Sequence, residues 1–136
     1  MPGRRLLVAF GLWTVFVWAT RIGTALDEGA TGRVVLAVSF TLVGLAVLAV
    51  AWRARGRVLT SGEVVAVRVA AAWTVGVWAV RGVQIALADH EAAFIVVHVV
   101  LAVVSIALAV ATVRTTTLSD RHGTAGHRRA EVDVTS

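Results

Sequence analysis

Apolar residues in this chain gather in four blocks, at about Leu6 to Leu26, Val34 to Trp52, Val65 to Ala88 and Ala92 to Val113. Each block approaches the roughly 20 residues that an α-helix needs to cross a bilayer core. The pattern predicts an all-α membrane protein with four transmembrane helices. The links Asp27 to Arg33 and Asp89 to Glu91 are short and polar, as tight turns between antiparallel helices require. The link Arg53 to Glu63 carries Gly56, Gly62 and Thr60-Ser61, a pair suited to starting a helix. From Thr115 to Ser136 the apolar content falls away, and such a segment cannot repay its ordering entropy. The expected organisation is a membrane domain over 1–114 and a disordered cytoplasmic tail over 115–136.

Composition agrees: 58% of the 136 residues are hydrophobic, 15% are charged, and mean hydropathy is +0.84. With 0 Cys, disulfides, thiolate metal sites and cysteine nucleophiles are excluded. All 13 basic residues are Arg, which together with the heavy use of Ala, Val and Gly suggests a GC-rich bacterial genome. The net charge of +5 does not point to nucleic acid, because its placement follows the rule that basic residues stay on the cytoplasmic side. Arg4, Arg5, Arg53, Arg55, Arg57, Arg68, Arg114, Arg121, Arg128 and Arg129 flank one end of the blocks. The other end holds Arg33 against Asp27, Glu28, Asp89 and Glu91. Both termini are therefore expected in the cytoplasm, with the hairpin tips outside a bacterial cytoplasmic membrane. The first block has the outline of a signal peptide, but Arg21 interrupts it and the third block repeats it, so it is expected to stay in place.

That repetition is specific. At an offset of 60 residues, the nine residues from Trp13 to Arg21 lie over those from Trp73 to Arg81, and seven of the nine are identical. Leu48 to Ala51 also match Leu108 to Ala111. The chain reads as two tandem helical hairpins, about 6–53 and 65–114. Each unit is a two-helix hairpin, so the second enters the membrane in the same direction as the first, which predicts a pseudo-twofold axis along the membrane normal.

At about 100° per residue, Trp13, Thr14, Trp18 and Arg21 share one face of the first helix, and Trp73, Thr74, Trp78 and Arg81 share one face of the third. Trp13 and Trp73 lie away from the interfaces where Trp usually anchors a span, so they read as packing or site residues. An Arg inside a span costs about 2.5–3.5 kcal/mol at the centre, so each needs a partner or a purpose. One reading makes Arg21 and Arg81 a paired site for an anion or a lipid headgroup, lined by Trp and Thr. The other has each Arg stack on its own Trp at i−3 and pair with Asp27, Glu28, Asp89 or Glu91. His98 is the remaining strongly polar group within a block and falls at the depth of Arg81, where it reads as a proton relay or as a neutral acceptor for the guanidinium.

Other chemistry finds little footing. His90 and His98 are too close in sequence to take opposite axial positions on one haem, and His122 and His127 lack helical ligand spacing for a metal. No cofactor is expected. Thr14, Thr74, Ser39, Thr41 and Ser105 have no evident base beside them and read as interhelical hydrogen-bonding groups. Gly11, Gly23, Gly44, Gly76 and Gly82 allow close helix contact. The leading expectation is a non-enzymatic structural or accessory subunit, with membrane lipids, further copies of itself or another membrane protein as partners. The alternative is a small anion channel or transporter using Arg21 and Arg81. Headgroup binding is a third reading.

Overall fold

A computed structural model describes the backbone of residues 2–89 and 91–134, with side chains over 3–89 and 91–116. Four helices follow one another: α1 Pro2–Asp27, α2 Thr31–Arg53, α3 Ser61–Leu87 and α4 Ala92–Val134. All four are long and apolar enough to cross a membrane, over Gly3–Asp27, Thr31–Arg53, Ser61–Leu87 and Ala92–Thr116. A rise of about 1.5 Å per residue makes even the 23 residues of α2 longer than the roughly 30 Å hydrocarbon core. Where composition predicts a mobile tail from Thr115, the backbone of α4 runs on as a helix to Val134. Extending a formed helix avoids the cost of a new nucleus. His122 and His127 lie beyond the described side chains, and His90 lies outside the described residues.

The turns follow from local chemistry. α1 ends in a Schellman motif: Ala30 N–H bonds to Ala25 O at 3.0 Å and Gly29 N–H to Leu26 O at 3.0 Å. Gly29 supplies the positive φ of 62° that this motif needs. α3 starts at a reciprocal capping box, with Thr60 Oγ1 accepting from Glu63 N–H and the Glu63 carboxylate accepting from Thr60 N–H at 2.8 Å. Arg57 grips the same carboxylate with two nitrogens, at 2.8 and 2.5 Å. Arg55 lies over the Trp52 ring at 4.2 Å.

α1 packs between α2 and α4, and α3 completes the ring between α4 and α2, with the α2–α3 contact the slightest. Lipid tails are as apolar as the side chains, so helix association here rests on close packing more than on burial from water. The tightest approach is between α1 and α2. A Cβ on Gly44 would come within 2.8 Å of Val15 Cγ2 and 3.0 Å of the Gly11 carbonyl oxygen. A Cβ on Gly11 would come within 2.7 Å of Leu48. Gly23, Gly76 and Gly82 face open space instead and bring no helices together.

Two clusters fill the axis of the bundle. Toward the end that holds the N-terminus, Leu7, Phe10, Val47, Ala51, Val67 and Ala109 interlock. Toward the end that carries the links at 28–30 and 88–91, called here the hairpin end, Val17, Trp18, Ala37, Phe40 and Trp78 do so. Trp18 stacks on Phe40 with ring centroids 4.3 Å apart and meets Trp78 across the bundle at 6.4 Å.

Candidate functional site

Three polar groups stand at one level near the hairpin end. Arg21 is six residues before the end of α1, Arg81 six before the end of α3, and His98 six after the start of α4. That spacing places each about 9 Å along its helix from the end. His98 is buried, although it sits within an apolar run. Its Nδ1 is 2.9 Å from Phe94 O, one turn back, and the carbonyl can only accept. Nδ1 therefore carries the proton, which leaves Nε2 as an acceptor. Arg21 meets that nitrogen at 3.1 Å and donates to it. The imidazole here is neutral, so it orients the guanidinium without cancelling its charge.

The depth count makes Arg81, of its own hairpin, the expected neighbour of His98. The bundle pairs it with Arg21 because the helix face that carries His98 also packs against α1. Arg81 stands at the same level on α3, so the two like charges share the hairpin end of the bundle. Among the described residues Arg81 has no hydrogen-bond or ion-pair partner. Neither Arg reaches the acidic groups of the links: Glu28 pairs with Arg33, and that pair is exposed. The stack of Arg over Trp at i−3 occurs at Arg55 and Trp52, near the opposite end, and not at Arg21 or Arg81.

The repeated tryptophans divide into two kinds. Trp18 and Trp78 are buried in the core cluster. Trp13 is half-buried, and its Nε1–H donates to Ser105 Oγ of α4 at 2.9 Å. Trp73 leans on Phe40 with ring centroids 6.2 Å apart and is 50% exposed near the middle of α3. Composition alone gives no means to separate these fates, since both hairpins carry the same motif.

The hydroxyls correct a second expectation. Thr14 donates to Phe10 O at 2.8 Å and Thr74 to Ala70 O at 2.9 Å, each within its own helix. Ser39 and Thr41 do the same with Val35 O and Ala37 O. A helix in an apolar medium offers its own i−4 carbonyl at no entropic cost, and this outcompetes a reach to another helix. Ser105 alone of the five links two helices, by donating to Leu101 O while accepting from Trp13.

A groove of about 310 Å³ opens between α3 and α4 at the hairpin end. Trp78, Gly82, Ile85 and Ala86 form one wall, Ile95, Val99 and Ala102 the other, with His98 in the lining and Asp89 at the helix end. Trp78 Nε1–H is buried there without an acceptor among the described residues. Among the described residues no three His, Asp or Glu side chains converge as a metal site would require. No family model matches the chain, and neither a curated protein nor a solved structure matches it.

Proposed function

We propose that the chain is a non-enzymatic membrane subunit that works by docking, through the outward face of α3, on a second copy or on another membrane protein. One observation carries this reading. Trp73 projects at mid-span with its indole N–H lacking an acceptor among the described residues, whereas its counterpart Trp13 is satisfied by Ser105. A polar N–H facing hydrocarbon is costly, and Trp at mid-depth lacks the interfacial environment that usually stabilises it. One turn along, Gly76 leaves open space that a neighbouring helix can enter. Val65, Val69, Val80 and Val83 continue the same exposed stripe.

The duplicated segments support this. Their two differing positions, Phe16 over Gly76 and Thr20 over Val80, are exposed in both hairpins. Thr14, Thr74, Trp18 and Trp78, which are shared, are buried. Such a pattern fits a tandem duplication that kept its inward packing while the outer faces diverged. The arginines at 4, 5, 53, 55, 57 and 114 favour cytoplasmic termini, in a bacterial cytoplasmic membrane. The filled axis gives no support to conduction through a single chain. The two uncompensated arginines keep an anion-transport reading in view, with a path between copies. Flux in liposomes that disappears in the double change Arg21→Gln, Arg81→Gln would favour it.

The docking reading is tested by placing a photo-crosslinking amino acid at Val69 or Val80 in native membranes, with Leu12 of α1 as the control. Protein adducts, to itself or to a partner, are expected from the α3 positions and not from Leu12. Adducts to lipid alone from both α3 positions would overturn the proposal.

A further inference from the structure

The end of the bundle that holds the N-terminus gathers arginines without gathering carboxylates. Arg4, Arg5, Arg53 and Arg55 are all exposed there. Among the described side chains at this end the one carboxylate is Glu63, and it is already held by Arg57 and by the capping box of α3. The packing of α1 on α2 brings two of the free arginines to one place. Gly11 lies against Leu48 and Val15 against Gly44, which fixes the antiparallel register of the pair. Seven residues, about two helical turns, separate Gly11 from Arg4 and likewise Leu48 from Arg55. Arg4 and Arg55 therefore stand at one level on the seam between the two helices. The turn after α2 keeps Arg55 there, since its N–H bonds to Trp52 O at 3.2 Å and its guanidinium rests on the Trp52 ring.

Two like charges held side by side repel unless an anion stands between them. Toward the middle of the bilayer the outer edge of the same seam is apolar. Trp52 is 66% exposed, and Leu45, two turns back on the same flank of α2, and Leu12 of α1 are exposed as well. We infer that this edge binds one anionic glycerophospholipid, its phosphate between Arg4 and Arg55 and an acyl chain along Trp52, Leu45 and Leu12. The depth is right: Arg4 is two residues from the start of α1, about 3 Å along a helix that outreaches the hydrocarbon core at its ends. Arg suits the phosphate because its planar fork donates to two oxygens at once, and the Trp52 ring holds one fork in position beforehand. The charge on the headgroup follows from the surroundings. The ammonium of a zwitterionic lipid would meet Arg5 and Arg53 there and no free carboxylate among the described residues, whereas an anionic headgroup meets only favourable charge. The seam belongs to α1 and α2, away from the outward face of α3, so failure of the docking proposal leaves this one standing, and the reverse also holds.

The test is native mass spectrometry of the full chain in detergent, titrated separately with phosphatidylglycerol and phosphatidylethanolamine, and with phosphatidylglycerol in the presence of inorganic phosphate. A one-to-one adduct is expected with phosphatidylglycerol, tighter than with phosphatidylethanolamine and undisturbed by inorganic phosphate at the same concentration as the lipid. The double change Arg4→Gln, Arg55→Gln is expected to weaken it about tenfold or more, the scale of one lost charge-assisted hydrogen bond. Arg33→Gln, which removes an exposed charge at the hairpin end, is expected to leave it unchanged. Trp52→Ala keeps every arginine but removes the ring under Arg55, and is expected to weaken the adduct too. Equal affinity for the two lipids would overturn the anionic headgroup, and displacement by inorganic phosphate would show a free-anion site instead. An equal loss in Arg33→Gln would reduce the effect to net charge, and an adduct insensitive to both the double change and Trp52→Ala would overturn the seam.

Discussion

Arg21 of α1 and His98 of α4 are 77 residues apart in sequence and 3.1 Å apart in the bundle, joined by a hydrogen bond whose direction is set by a third group. Because His98 Nδ1–H is committed to Phe94 O, its Nε2 has only a lone pair to offer. The pair holds the first hairpin to the second at a level where few other polar contacts are available.

Removing the acceptor should therefore cost more than removing the charge. His98→Leu leaves Arg21 charged and without its acceptor, and is expected to lower stability by about 2 kcal/mol, as for a hydrogen bond to a charged group. Arg21→Gln removes the costly charge together with the bond, so its net loss should be smaller. Unfolding in detergent followed by tryptophan fluorescence measures both. A larger loss for Arg21→Gln would mean that the arginine makes a contact beyond His98.

Much of this arrangement is legible in the sequence, and the limits have a physical cause. The four spans follow from block length, the α3 start from Thr60 and Ser61, and the common depth of Arg21, Arg81 and His98 from counting along the helices. Which faces meet is another matter. In a soluble helix, polar residues mark the outside, but in a bilayer both the packed face and the lipid face are apolar, so periodicity does not show which neighbour a residue meets. Hence depth alone puts His98 with Arg81 rather than Arg21, and it does not distinguish Trp13 from Trp73. The glycines illustrate the same limit, since five of them satisfy the small-residue pattern while only Gly11 and Gly44 touch another helix closely.

The close approach of α1 to α2 predicts a sharp difference between two glycines of one helix. Gly11→Ala places a Cβ 2.7 Å from Leu48 and 3.1 Å from the Gly44 carbonyl oxygen, so the helices must separate. The expected cost is about 1–3 kcal/mol, typical of overpacking. Gly23→Ala meets nothing within 4 Å and should gain up to about 1 kcal/mol from helix propensity. Comparison of unfolding midpoints for the two variants decides this, and equal effects would contradict the packing described.

Thr112 is wholly buried on α4, and its hydroxyl has no hydrogen-bond partner among the described residues. Thr112→Val replaces that hydroxyl with a methyl group of nearly the same shape. Relief of an unsatisfied buried group is expected to raise stability by about 1 kcal/mol. A fall of similar size would reveal an acceptor or a bound water that this hydroxyl serves.

The last expectation concerns the two duplicated tryptophans whose surroundings differ. Trp13 Nε1–H donates to Ser105 Oγ across the α1–α4 contact, and position 45, which stands to Trp73 as Ser105 stands to Trp13, is a leucine. A double-mutant cycle with Trp13→Phe and Ser105→Ala should give a coupling of about 1 kcal/mol, the usual net value of one hydrogen bond. The matching cycle with Trp73→Phe and Leu45→Ala has no hydrogen bond to lose and should show none of that coupling in the isolated chain. If α3 docks through its outward face, Trp73→Phe should instead weaken association, measured as a loss of crosslinked adducts from Val80 at unchanged unfolding midpoint. Stability and association would then divide between two copies of one motif, Trp13 closing the bundle and Trp73 facing what binds it.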